Sequence, residues 1–255
     1  HLVYFRFLTK VLKDAGYLDV EEPVTRLFHH GMVADDQGRT MSKSLGNVVS
    51  PVDMAKKWGV DVARVAMFFF APSADEIRWN EDGVAGARKF VTRLHETVTS
   101  CAPWVRSLPA DVRGGPDASP TAREVRRLAH EALRRFDAAF SGDLAINPAI
   151  AGIYEWMNAF PAPEQAAAAP EADRHCYAEA IRLVVAALAP VAPHLAEELH
   201  ETLGGTGSIF HTAWPAVDPA ALVEDAVLDV LGQLAEVGVA GRDLGPRVAD
   251  ADHRP

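Results

Sequence analysis

Cysteine is nearly absent from this chain of 255 residues: Cys101 and Cys176 are the only two, and they lie far apart. That excludes a small disulfide-stapled framework and a zinc site built on paired cysteines, and it predicts reduced thiols in a cytoplasmic protein. Long apolar runs are missing as well. None approaches the roughly 20 residues that cross a bilayer, so no membrane partner is expected. No charged segment, apolar core and cleavage site stand in series at the front, which argues against secretion. Residue 1 is His, so the chain is not expected to begin at a natural start. Positive charge is in deficit, with 25 Lys and Arg against 35 Asp and Glu and a net charge of −10. A generic nucleic-acid coat needs a net basic surface and is excluded, although a local basic face is not. His29, His30, His194, His200 and His211 show no ligand spacing on a helix face, so no metal site is expected. No Ser-His-Asp arrangement emerges from spacing either.

Against this background one polar stretch stands out: Gly38-Arg39-Thr40-Met41-Ser42-Lys43-Ser44-Leu45-Gly46-Asn47. Glycines let backbone N–H groups approach an anion, hydroxyls donate hydrogen bonds, and Lys43 adds a mobile point charge. Such a loop suits phosphate. Asn47 is placed to pin its far side through side-chain-to-backbone bonds, or to serve as an ordinary turn residue.

The surrounding pattern is mainly helical. Residues 2–14 carry Val3, Phe7, Leu8, Val11 and Leu12 on one face, and Gly16 suits the helix end. Val24–Val33 reads as a short strand or a loop leading into one. Ser50-Pro51 opens a helix that Lys56, Lys57 and Gly59 close. The next helix buries Val62, Val65, Ala66 and Phe69 and stops at Pro72. Asp53, Asp61 and Glu76 read as caps or surface charges. Long helical periods follow over Gly83–Val98, Thr121 to about Phe140, Leu144–Phe160 with a start or break near Pro148, and Glu171–Leu203 with an interruption at 190–193. Leu108–Pro120 is a loop, and Pro161–Pro170 is a linker or a frayed end. Four such helices make a bundle.

On the second bundle helix Arg123, Arg127, His130 and Arg134 are spaced 4, 3 and 4 and share one face. That face is either a solvated surface with local salt bridges or a stripe for a sugar-phosphate backbone. Trp79, Trp156 and Trp214 could stack on bases, but in a bundle tryptophans more often anchor the core.

The polar loop resembles the Lys-Met-Ser-Lys-Ser signature of class I aminoacyl-tRNA synthetases, with Thr40 at the first lysine position and Met41, Ser42, Lys43 and Ser44 retained. The order of several further segments resembles the leucyl family: His1–Phe7, Gly31-Met32-Val33, Asn47–Pro51, Ala71-Pro72, Trp79–Gly86, Gly207-Ser208-Ile209 and Ala213-Trp214-Pro215. The likeness covers roughly residues 1–230. It implies the end of a Rossmann-type α/β catalytic domain (1–76), an anticodon-binding-type helical bundle (77–215) and a divergent tail (216–255). It implies leucine, ATP with Mg²⁺, and tRNA(Leu) as ligands. Lys43 is then the catalytic residue, acting on the β- and γ-phosphates as pyrophosphate leaves. Met32, Val33, Met41, Ser42, Lys43 and Ser44 contact ATP, and Arg123, Arg127 and Arg134 meet tRNA.

The family's other ATP signature, of His-x-Gly-His type, is absent from the sequence. The isolated chain is therefore expected to be inactive, with the other catalytic half in the same or a separate polypeptide. A synthetase-derived tRNA- or protein-binding module without catalysis is the alternative. A paralogue acting on another acceptor, such as a carrier protein, is a third. Whether Arg39 replaces the charge missing at Thr40 is left open by the sequence.

Overall fold

Helix-forming runs dominate the computed structural model, which describes residues 3–29, 31–70 and 76–223. The expected helix stop at Pro72, His30 and the tail beyond residue 223 lie outside the described residues. Nine α-helices, two short 3-10 helices (Ile209–His211 and Pro219–Leu222) and one two-stranded sheet make up the regular structure among the described residues.

Helix α1 (Tyr4–Asp14) ends where Gly16 adopts φ +79. The Tyr17 N–H reaches the Leu12 carbonyl and the Gly16 N–H reaches that of Lys13, the Schellman closure that a left-handed glycine permits. Most of its apolar face is exposed: Val3, Phe7 (66%), Leu8 and Val11 face outward, while Leu12 is half-buried. The following segment is tied back to the helix by a bidentate Arg6–Glu22 pair (2.7 and 2.6 Å).

The expected strand over Val24–Val33 shrinks to β1 (Val33–Ala34). It runs parallel to β2 (Ile77–Arg78), with Val33 opposite Ile77. A strand extends only as far as a neighbour pairs with it, and here the neighbour offers two residues. Because β2 pairs back onto β1, residues 77–78 belong by hydrogen bonding with the first unit.

Helix α2 (Pro51–Trp58) starts as its sequence dictates: Ser50 Oγ accepts from the Asp53 N–H, Pro51 sits in the first turn, and Gly59 ends it at φ +90. In α3 (Val60–Phe70), Val62, Val65 and Ala66 are buried. Helix α4 (Glu81–Val105) is longer than its sequence period suggested at both ends. Asn80 caps it by accepting from the Gly83 N–H (2.7 Å). At the far end Cys101, Ala102 and Val105 prolong the buried stripe past Pro103. Arg182 then donates to the Val105 carbonyl at the helix end and to the Leu108 and Pro109 carbonyls just beyond it (2.9, 3.2 and 2.7 Å).

The bundle continues with α5 (Pro120–Ser141), capped by Ser119, and α6 (Asn147–Ala159), which starts beside Pro148. A short helix, α7 (Pro163–Ala168), occupies the segment expected to be a linker. Helices α8 (Glu171–Leu188) and α9 (Pro193–Thr202) are separated at the expected proline interruption. Trp156, Phe90, Phe136, Leu133, Ile153 and Leu188 fill the centre, fully buried. Burial at that level stabilises by about 1.5–3 kcal/mol for each large aliphatic or aromatic side chain. Cys101 and Cys176 are buried in this core as free thiols, and burial pushes each up to about 11.

Helix α3 packs on α4 through Phe69 against Phe90 (5.7 Å, edge-to-face). That packing fixes the first unit, and the polar loop it carries, against the bundle.

Candidate active-site loop and helical face

The loop is organised by one carboxylate that sequence reasoning did not single out. Asp35, at the end of β1, is buried and collects four bonds. Its Oδ1 accepts from the Gln37 and Arg39 backbone N–H groups (3.1 and 2.8 Å), and its Oδ2 from Arg39 Nε (2.8 Å) and Asn47 Nδ2 (3.0 Å). The hydrogen bonds of Asn47 and Arg39 hold its carboxyl well below the usual carboxylate range. Gly38 permits the turn at φ +76, and Thr40 bridges back to Ala34 in antiparallel sense. The legible signal was the i, i+4 spacing of Asp35 and Arg39 about a glycine turn.

Asn47 closes the loop as its position suggested. Its Oδ1 accepts from the Ser42 N–H (2.9 Å), and its Nδ2 also reaches the Thr40 carbonyl (3.4 Å). Ser42 Oγ lies 3.1 Å from Ser44 Oγ and accepts from the Leu45 N–H. Gly46, at φ +66, turns the chain out of the loop. Lys43 and Ser44 ride on the exposed crest. Among the described residues the Lys43 ammonium has no hydrogen bond or ion pair. A cation on a rigid, exposed turn between two hydroxyls can meet a polyanion without first breaking a salt bridge.

The other expected nucleotide contacts are divided. Met41 is half-buried against the core, so it supports the loop from below. Met32 is 60% exposed, and its carbonyl is taken by the Ile77 N–H (2.9 Å). Val33 is half-buried, and its carbonyl accepts from the Met41 N–H (3.3 Å). The structure thus brings Val33, Met41, Ser42, Lys43 and Ser44 into one unit with Asp35 and Asn47 as its frame.

Arg39 is engaged by Asp35 a second time: its Nη2 also lies 2.8 Å from Asp35 Oδ2.

The arginine face of α5 is only partly as expected. Arg134 is exposed and pairs with Glu131 (2.7 Å through both Nε and Nη2), whereas Arg127 is half-buried and pairs with Glu124 (2.6 and 2.7 Å). Arg123 donates to the Pro116 and Ala118 carbonyls (3.0 and 2.5 Å). The hydrogen bonds of Arg134, above all, hold Glu131 down at about 2. His130 departs from the expected face: it is 1% exposed and belongs to the core. Helix α5 is flanked by α6 and α8, so its buried arc is wide and takes in both Arg126 and His130.

Those two residues build a network with Glu179 of α8. Arg126 Nε donates to Glu179 Oε2 (2.6 Å) and Arg126 Nη2 to Asp218 Oδ2 (2.6 Å). The Asp218 N–H donates to His130 Nδ1 (3.1 Å), which leaves Nε2 as the proton-bearing nitrogen facing Glu179 Oε1 (3.2 Å). Burial alone would raise Glu179, but the bonds from His130, Arg126 and the Gly114 N–H hold it at about 2. Arg123, Arg126, Arg127 and Asp218 line a cavity of about 300 Å³ here. Trp79 and Trp156 are core residues, and Trp214 is half out, its indole N–H donating to Asp137 (2.6 Å).

Residues 4–80 match the family described as tRNA synthetases class I (I, L, M and V), and residues 122–240 match the anticodon-binding domain of tRNA ligase. The chain is 40% identical over 235 residues to the leucine–tRNA ligase of Geotalea daltonii, covering 91% of this chain and 27% of that protein. It is 37% identical over 227 residues to the one from Thermotoga maritima, covering 89% and 27%. It therefore spans about a quarter of the length of the curated relatives it matches. Among solved structures, the LeuRS–tRNA–LeuAMS ternary complex from Agrobacterium radiobacter K84 superposes with a TM-score of 0.73 at 28% identity, over 96% of this chain and 35% of that one. Mycobacterium tuberculosis methionyl-tRNA synthetase with methionyl-adenylate shares the fold at a TM-score of 0.54 and 21% identity, over 78% of this chain and 42% of that one.

Proposed function

The chain belongs to the class I aminoacyl-tRNA synthetases, among the leucine–tRNA ligases, and from that premise we propose that it supplies the phosphate-binding loop and the tRNA-holding helices of a leucine-activating enzyme. Its place of action is the cytoplasm.

In this reading leucine attacks the α-phosphate of ATP, and negative charge gathers on the departing pyrophosphate. Lys43 meets that charge. Its stabilisation is larger in the transition state than in the ground state, which is what accelerates a reaction. Ser42 and Ser44 offer hydroxyls on either side, and Asp35 and Asn47 hold the turn so that little reorganisation is needed when the phosphates arrive. Val33 and Met32 flank the adenine. The Asp35 carboxylate is engaged by Arg39 and Asn47, so Mg²⁺ would be carried by the triphosphate. The helical unit from residue 81 to the end of the bundle binds the body of tRNA(Leu), with Arg134, Arg127 and Arg123 facing its backbone. The unit before it completes a nucleotide site with the His-x-Gly-His half of the enzyme, on the same or a separate polypeptide.

The observation that carries this reading is the Lys43 ammonium, unpaired among the described residues, on a turn framed by Asp35 and Asn47. One observation favours the alternative of a non-catalytic binding module: the first signature lysine is Thr40, and Arg39 is tied to Asp35. Leucine-dependent ATP–pyrophosphate exchange separates the two. The 255-residue chain alone should give none, and joining it to the His-x-Gly-His half of a leucine–tRNA ligase should restore it. A joined enzyme that binds tRNA but exchanges nothing would establish the binding module instead.

A further inference from the structure

Pro190 and Pro193 break the helical ladder between α8 and α9, and two side chains of α3 repair it. In an unbroken helix the Leu195 N–H would bond to the Val191 carbonyl, four residues back. Here the two groups are separated and each is met from α3. Asp61 Oδ2 accepts from the Leu195 N–H (2.6 Å), and Arg64 Nε donates to the Val191 carbonyl (3.0 Å). Arg64 Nη2 takes the neighbouring Pro190 carbonyl (2.9 Å), and Asp61 Oδ1 lies 3.0 Å from His194 Nδ1. Asp61 and Arg64 are three apart and share one face of α3, and Asp61 is buried. The carboxylate thus caps a helix that is remote in sequence, and the guanidinium closes the end of the preceding one.

The position of this clasp is what gives it consequence. Asn47 closes the Lys43 loop, Ser50 caps α2 three residues later, and Gly59 turns α2 directly into α3. The loop and the clasp are therefore joined by two short helices with no flexible linker between them. On the other side of the clasp stand α8 and α9 of the bundle. Simple core packing between α3 and the bundle is already supplied by Val62, Val65, Ala66 and Phe69. The clasp adds direction: polar bonds fix the rotation and axial register of α3 against the kink, which apolar packing leaves softer.

We propose that Asp61 and Arg64 are positioning residues that hold the Lys43 loop in register with the tRNA-bearing helices, so that the acceptor end of a bound tRNA meets the activated amino acid. This rests on the function proposed above. Activation of leucine needs only the loop and the nucleotide site, whereas transfer needs both units in register. The two half-reactions should therefore respond differently.

The test uses the joined, active enzyme carrying Arg64→Lys, which keeps the charge but cannot donate a fork of two bonds. Pyrophosphate exchange should stay within about twofold of the parent, and the tRNA dissociation constant likewise. The kcat for leucylation should fall about 10- to 100-fold at unchanged KM for tRNA, the signature of misplacement rather than weakened binding. Asp61→Asn keeps an acceptor for the Leu195 N–H and should retain most of the leucylation rate, whereas Asp61→Ala should resemble Arg64→Lys. If Arg64→Lys melts well below the parent, Asp61→Ala decides in its place. Equal losses in exchange and leucylation, or no loss in either, would overturn the positioning role. A parent enzyme without exchange or leucylation would instead overturn the function itself.

Discussion

Arg39 and Asp35 face each other across the Gly38 turn with Nε and Nη2 each 2.8 Å from the same carboxylate oxygen. The arginine is thereby a structural brace of the loop. Its charge is paired with the Asp35 carboxylate.

Restoring the missing lysine should consequently help. Thr40→Lys in the joined enzyme should raise the rate of leucine activation by about 3- to 10-fold, corresponding to roughly 0.7–1.4 kcal/mol of added transition-state stabilisation. The measurement is kcat for pyrophosphate exchange at saturating leucine and ATP. An unchanged rate would mean that Arg39 already supplies that charge.

The Arg126–Glu179–His130 network should make the fold sensitive to acid. Glu179 sits at about 2 in the folded protein, below its ordinary 4.5, so its contribution is fully present above the unfolded value. It fades as pH falls from about 4.5 towards 2. Urea unfolding between about pH 7 and pH 3 should therefore show declining stability, and Glu179→Gln should flatten the decline. Removing the partner altogether is harsher: Glu179→Ala leaves the buried Arg126 short of its main counter-charge and should cost about 3–5 kcal/mol at neutral pH.

The α5 face makes a separate prediction about tRNA. Replacing Arg123, Arg127 and Arg134 together with Ala should weaken tRNA(Leu) binding and flatten its salt dependence, by about 0.7–0.9 in log–log slope for each phosphate no longer neutralised. Arg134, the most exposed of the three, should account for the largest share. Binding should tolerate anticodon changes. Salt titrations of parent and triple variant against tRNA with native and altered anticodons check both points, and identical slopes would return this face to a solvated surface.

Local chemistry made much of the scaffold legible. Ser50-Pro51, Ser119-Pro120 and Gly59 mark helix ends because their side chains or dihedrals act within a turn, and the loop from Gly38 to Asn47 is likewise local. What the sequence hid depends on remote partners. Helix α4 runs past its predicted end, where Arg182 of another helix meets the Val105 carbonyl. His130 shares a helical face with arginines by spacing, yet it is buried, held by Glu179 of α8 and by Asp218. Asp61 looks like a first-turn acid of its own helix, while its carboxylate caps α9. The apolar stripe of α1 was legible as a face, but nothing in its spacing told whether this chain covers it.

The most direct test of the account is Lys43→Ala in the joined enzyme, read by leucine-dependent ATP–pyrophosphate exchange. The account predicts a fall of about 100- to 1,000-fold in kcat, or roughly 2.7–4 kcal/mol of transition-state stabilisation, with the melting temperature of the parent retained. Exchange at the parental rate would contradict it, because the loop would then be a relic that no longer meets the phosphates.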